Sequence, residues 1–229
     1  MSPATVRRRK VGDDGKSAAP EGNGRPIVSV VDDDAAMVDS LRVLLESVGH
    51  RVNEYGSARA FLSGFDFEND AAGCIILDER MPGMTGHALH EELVRRSCST
   101  PIIVCTGFAE VELAVDAMRR GAITVIQKPF RPQALLDAVH VAIHRDQERH
   151  QRNAKRQGFD TRRARLTDRQ RQVMALMVLG KPNKAIAADL GISERTVELH
   201  RARVLRTMSV DSTTELAFLV ALHDGDGST

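Results

Sequence analysis

Tryptophan is absent from this 229-residue sequence, tyrosine occurs once, and aromatic residues make up only 3% of the chain. That scarcity disfavours nucleic-acid readers that stack unpaired bases on aromatic platforms. Cysteine is scarce too. Cys74, Cys98 and Cys105 form no CxxC pair, which excludes a disulfide scaffold and a zinc knuckle and fits a reducing cytoplasm. Long apolar runs are missing: Leu216 to Leu222, as long as any, has seven residues, against the roughly 18 of a membrane span. The basic run Arg7-Arg8-Arg9-Lys10 is followed by no apolar segment, so it does not read as a secretory signal. An excess of charge of one sign is lacking as well, the net being +1.

What is present is enough for real cores. A 42% apolar share with 28% charged residues suits one large or two small folded domains. The charge is unevenly spread. Residues 1–26 hold six basic against three acidic residues, residues 27–145 hold eleven against seventeen, and the remainder holds fifteen against eleven. An acidic segment is therefore followed by a basic one, and the near-zero total says nothing against a nucleic-acid partner.

Residues 1–26 lack apolar periodicity and read as a flexible tail. From Ile27 the short apolar runs Ile27–Val31, Cys74–Leu77, Ile102–Cys105 and Thr124–Ile126, with a weaker one near Val52, alternate with helical patterns. Runs of four or five apolar residues are the size of buried parallel strands. Five strands alternating with five helices predict a doubly wound α/β sheet, here over residues 27–145. Residues 146–163 are polar and Arg-rich, with Gly158 as a break, and read as a linker or an extension of the last helix. Residues 164–223 carry four amphipathic segments and predict a small all-α domain, with 224–229 as a tail.

Two sets of residues carry chemistry. Asp32, Asp33 and Asp34 follow the first strand and Asp78 the third. In a sheet of order 2-1-3-4-5 those strands are neighbours, and their carboxyl ends face one crevice. Gathered carboxylates repel, so a proton or a cation must join them. Mg²⁺ suits such a site because it uses few carboxylates and keeps waters for a phosphate. Thr106 ends the fourth strand and Lys128 follows the fifth. A hydroxyl and an ammonium beside a metal and a carboxylate make a phosphoryl site. In the C-terminal part, Thr167 and Gln170 form a capping box, and Asn183–Leu190, Gly191-Ile192 and a helix capped by Ser193 read as a helix-turn-helix.

The motifs Val-Val-Asp32-Asp33-Asp34, Asp78-Glu79-Arg80-Met81-Pro82-Gly83, Thr106-Gly107 and Lys128-Pro129-Phe130 resemble the receiver domain of two-component response regulators. The resemblance implies a flavodoxin-like fold with Asp78 as phosphoacceptor. It implies Mg²⁺ held by Asp33 directly, Asp32 through water, Asp78 and the backbone carbonyl of Arg80, with Lys128 and Thr106 on the phosphoryl oxygens. Many receivers carry Tyr or Phe three residues before the lysine; Val125 stands there. Val125, Ile126, Val111, Val115 and Met118 are candidates for an apolar output surface instead.

Leu166-Thr167, Asn183-Lys184-Ala185-Ile186-Ala187, Leu190-Gly191-Ile192-Ser193 and Thr196-Val197-Glu198-Leu199-His200-Arg201 resemble the LuxR-type DNA-binding domain, and the pairing resembles the FixJ-like subfamily. By that resemblance Glu198, Leu199 and Ala202 face bases, and Lys184, Thr196, Arg201 and Arg203 contact the backbone. Arg195 is a further DNA-binding candidate. The expectation is a cytoplasmic, non-enzymatic transcription regulator, most simply an activator. Its expected partners are a sensor histidine kinase, double-stranded DNA, RNA polymerase and, after phosphorylation, a second copy of itself, with no membrane. Two other readings compete. Asp32-x-Asp34 resembles the nucleophile loop of aspartate-dependent phosphohydrolases, although Ala35-Ala36 follow Asp34 where that loop usually has Thr or Val, and the receiver could dock partners without phosphate. His87 with His90, and His140 with His144, have helical metal spacing but no third ligand, and read as solvated side chains.

Overall fold

The computed structural model describes residues 26–67, 73–107 and 111–225. Residues 1–25, with the basic run of the tail, and residues 226–229 at the other end lie outside them. The order is β1 (Ile27–Val31), α1 (Ala35–Ser47), β2 (Arg51–Tyr55), α2 (Ala58–Gly64), β3 (Gly73–Asp78), α3 (Gly86–Arg95), β4 (Ile102–Thr106), α4 (Val111–Arg119) and β5 (Thr124–Gln127). Then come α5 (Pro132–Ala164), α6 (Asp168–Val178), α7 (Asn183–Leu190), α8 (Glu194–Met208) and α9 (Thr213–Gly225). The chain divides into two compact units between His150 and Gln151.

In the first unit the five strands form one sheet, ordered β2-β1-β3-β4-β5, with every pairing parallel. The central strands β3 and β4 are buried throughout. Alternate side chains therefore serve two cores, as the two-residue period of a strand requires. Val28, Val30, Cys74, Ile76 and Ile103 pack with Leu41 and Leu45 of α1 and Leu135 and Val139 of α5. Val31, Ile75, Leu77 and Val104 pack with Phe61 of α2, Leu89 and Leu93 of α3 and Ala117 of α4. Asp34, Ser57 and Thr85 cap α1, α2 and α3 by accepting backbone N–H groups.

Helix α5 runs 33 residues without a break at Gly158. An interior glycine costs a helix about 1 kcal/mol relative to alanine, and anchors on either side offset it. Asp146, fully buried, accepts from the Gly73 backbone N–H at 2.8 Å and from Arg149 at 2.7 Å. Phe159 is buried in the C-terminal core and stacks on His223 of α9.

The second unit is all helical. Val173 and Met177 of α6, Ile186 of α7, Val197, Val204 and Met208 of α8 and Leu216 of α9 form its core. Thr167 and Gln170 make the reciprocal capping box that opens α6. Gly191, at φ 65°, ends α7 in the left-handed conformation that suits glycine, and Ser193 caps α8 two residues later. Helix α9 continues to Gly225, past the boundary that its apolar residues suggested. Among the described residues, no helix is long and apolar enough to cross a membrane.

Candidate functional site

Parallel pairing brings the carboxylates together. Val31 lies opposite Leu77 in the β1–β3 register, so the next residues, Asp32 and Asp78, emerge at one edge of the sheet. Both are buried, while Asp33 is exposed. Carboxylate oxygens of Asp32, Asp33 and Asp78 all lie within 4.8 Å of one another. The third consecutive aspartate is not part of this group. Asp34 accepts from Ala36 N at 2.9 Å and Met37 N at 3.3 Å, and so caps α1. That leaves the phosphohydrolase reading without the second aspartate of its loop.

Lys128 closes the site from the next strand ends. Its Nζ donates to Asp32 Oδ2 and to Asp78 Oδ1, at 2.6 Å each. The other oxygens are also engaged: Asp32 Oδ1 accepts from Asp34 N at 2.9 Å, and Asp78 Oδ2 from Arg80 N at 2.8 Å. The Lys128 backbone N–H donates to the Thr106 carbonyl at 2.7 Å, which ties this loop to the end of β4. Thr106 itself is buried.

Burial pushes the Asp78 carboxyl above its ordinary pKa, and the hydrogen bond from Lys128 pulls against that. Burial works the other way on the Lys128 ammonium, but the hydrogen bonds to Asp32 and Asp78 outweigh it and raise its pKa. One ammonium faces three carboxylates, so the group retains an excess of negative charge. An all-oxygen donor set with that excess fits a hard divalent cation.

Gly86 was not picked out from the sequence, yet the site depends on it. A Cβ there would come within 2.2 Å of the Asp78 carbonyl oxygen and 2.8 Å of the Glu79 Cα. Its N–H donates to the Glu79 carbonyl at 2.9 Å. Helix α3 can thus start directly against the segment that carries Asp78. No local sequence signal marked it, because the close approach comes from tertiary packing against the Asp78–Glu79 backbone.

The expected apolar output surface is smaller than its five candidates. Val111, Val115 and Met118 of α4 are exposed, and Ala114, Val115, Met118 and Arg119 line an open groove of about 440 Å³. Val125 and Ile126 instead pack partly buried against the two cores, because β5 is covered by α4 and α5. The histidine reading also needs correction. His90 is buried rather than solvated, since it falls on the core face of α3 with Leu89 and Leu93. His87 sits 3.4 Å from Asp116 and 3.7 Å from Glu91. Among the described residues the aspartate group is the one cluster with metal-ligand spacing.

In the second unit α8 buries Val197, Val204 and Met208 and leaves Arg195, Glu198, Leu199, Ala202 and Arg203 exposed. These fall at three- and four-residue intervals, which is one helix face. Leu199, half exposed, has no core role and suits a thymine methyl or a similar apolar contact. Lys184 is exposed on α7. Thr196 and Arg201 are half-buried; the Thr196 hydroxyl meets Ser193 Oγ at 2.8 Å and Arg201 donates to Thr213 Oγ1 at 3.0 Å.

Comparison with known proteins agrees with this division. Residues 28–140 match the family described as response regulator receiver domain, and residues 164–220 match bacterial regulatory proteins of the luxR family. The chain is 42% identical over 206 residues to the transcriptional regulatory protein FixJ of Azorhizobium caulinodans, covering 88% of this chain and 96% of that protein. It is 38% identical over 202 residues to nodulation protein W of Bradyrhizobium diazoefficiens, covering 88% of each. Among solved structures, the response regulator StyR aligns with a TM-score of 0.79 at 39% identity, over 86% of this chain and 98% of that one. Full-length FixJ from B. japonicum aligns with a TM-score of 0.54 at 38% identity, over 89% and 99%.

Proposed function

The chain belongs to the FixJ-like response regulators, with a receiver domain joined to a LuxR-type DNA-binding domain, and from that premise we propose that phosphorylation of Asp78 controls its pairing on double-stranded DNA. The observation that carries this reading is Lys128 reaching Asp32 and Asp78 at 2.6 Å each. A lysine shared in this way is already positioned when Asp78 is modified, because Asp32 continues to hold it.

In the proposed reaction an Asp78 carboxylate oxygen attacks the phosphorus of a phosphohistidine on the sensor kinase. The new O–P bond forms as the P–N bond breaks, and the imidazole leaves with its electron pair. The acyl phosphate brings about two negative charges at neutral pH. Lys128 then moves its Asp78 hydrogen bond onto a phosphoryl oxygen, and the Thr106 hydroxyl donates to another. Mg²⁺ held by Asp32, Asp33, Asp78 and the Arg80 backbone carbonyl supplies the remaining positive charge when bound. The Arg80 N–H holds the other Asp78 oxygen in place.

The reading extends to output. Phosphorylation biases α4 and β5 toward a face on which two receivers meet, centred on Val111, Val115 and Met118. Paired C-terminal domains then present two α8 helices to half-sites about one DNA turn apart. Glu198, Leu199 and Ala202 read bases, while Lys184, Arg195, Thr196, Arg201 and Arg203 position the protein on phosphates. RNA polymerase is the downstream partner of an activator bound in this way, and the cytoplasm is where kinase, DNA and polymerase meet. The test is labelling with a small phosphodonor and Mg²⁺. The wild type should acquire one base-labile acyl phosphate, and Asp78→Asn should acquire none. Retained labelling in that variant would move the acceptor elsewhere, and steady phosphoester turnover would favour an enzyme.

A further inference from the structure

The stretch of α5 that enters the second unit has an unusual surface. Residues 151–157, two turns of helix, are exposed on every side. A helix segment that is polar all round has no packing to hold it and depends on its own charge pattern. Here that pattern is unfavourable. Arg152, Lys155 and Arg156 stand at three- and four-residue spacings with no acidic residue among them, and like charges at those spacings destabilise a helix. From Gln151 to Arg165 there are six basic residues and one acid, Asp160, and Asp160 is taken up by His223 at 3.0 Å. Among the described residues none of the six has an ion pair. Some arginines elsewhere do, among them Arg42 with Asp39, Arg96 with Glu92, Arg120 with Asp116 and Arg149 with Asp146.

The orientation of these cations is set. At about 100° per residue, Arg152, Lys155, Arg156 and Arg163 fall on the same face of α5 as Phe159. Phe159 is buried in the core of the second unit, so it fixes the rotation of the helix. The cations extend that face by two turns beyond the body of the DNA-binding domain. A row of unpaired cations, kept despite mutual repulsion and rigidly joined to a DNA-binding domain, needs a linear array of negative charge. Duplex DNA supplies one phosphate charge per about 1.7 Å of axis.

We propose that Arg152, Lys155 and Arg156 form a second DNA contact, which grips phosphates flanking the half-site and adds affinity without base preference. This rests on the DNA-binding reading above. The test uses the full-length chain, treated with phosphodonor and Mg²⁺, and a random-sequence duplex as probe, titrated over a range of salt concentrations. The variant is Arg152→Gln with Lys155→Gln and Arg156→Gln, since glutamine keeps the helix propensity while removing the charge. Circular dichroism confirms that the helix content is retained.

Each phosphate contact contributes about 0.9 to the slope of log affinity against log salt. The variant should therefore lose about 2 to 3 from that slope, and selection from a random duplex pool should return the wild-type consensus. An unchanged slope in the variant, with the wild type binding normally, overturns this contact and leaves the DNA-binding reading intact. A wild type with no salt-dependent duplex binding overturns both. A variant with an unchanged slope that has lost salt-sensitive self-association assigns these cations to the acidic domain of another copy.

Discussion

Lys128 is held by two carboxylates at equal distance, and in the proposed reaction that shared hold keeps it in place when Asp78 is modified. At the residue scale the acidic group was legible in the sequence because it follows from strand ends: aspartates after the first and third strands of a parallel sheet must converge. The separate role of Asp34 was not legible, since three identical neighbours differ only in which one turns into the helix. Nor was His90, because helical spacing alone does not tell a buried ring from a solvated one. Burial holds the His90 imidazole below its ordinary pKa of 6.5, against a hydrogen bond to the Arg120 backbone that favours the proton. The native state thus prefers the neutral ring, the unfolded chain takes up the proton first, and stability falls as pH drops through 6.5 and below. Denaturant midpoints measured at about pH 7.5 and about pH 5.5 should differ less in His90→Gln than in the wild type. An equal drop in both would mean that His90 does not carry this dependence.

At the scale of elements, apolar runs identified β1, β3 and β4, because strands buried on both sides need continuous apolar residues, and a shorter run identified β5, which is partly buried at the sheet edge. Strand β2 was only faintly legible: it lies at the sheet edge and buries little beyond Tyr55. The continuity of α5 past Gly158 was least legible. Its anchors are Asp146, reaching a backbone N–H that is 73 residues distant in sequence, and a single phenylalanine in an otherwise polar stretch. Neither leaves a periodic signal. The start of α6, by contrast, was readable residue by residue, since a capping box is local. Thr167→Ala removes the acceptor for the Gln170 N–H and should cost about 1 kcal/mol, read as a lower thermal midpoint of the C-terminal domain with the receiver transition unchanged. An unaltered C-terminal transition would show that the box is not holding α6.

At the scale of the whole molecule, the +1 net charge conceals an acidic receiver and a basic DNA-binding portion. The division into two units explains how the chain can couple them. The acidic group lies at one end of the sheet, the proposed base-facing residues lie on one face of α8, and α5 is the covalent path between the two units. Both domain types were legible because each is specified by several motifs in fixed order. The groove on α4 was only partly legible, since exposure of Val115 and burial of Ile126 are settled by packing rather than by composition. The proposed coupling is that a phosphoryl group on Asp78 increases DNA affinity by pairing the chain. It is tested most directly by measuring duplex affinity and molecular mass together, with and without a small phosphodonor and Mg²⁺, for the wild type and Asp78→Asn. The wild type should bind about 5- to 150-fold more tightly, the range of typical coupling energies, and shift from monomer to dimer, while Asp78→Asn does neither. A wild type whose affinity and mass are unchanged by phosphorylation, or an Asp78→Asn variant that responds equally, would contradict it.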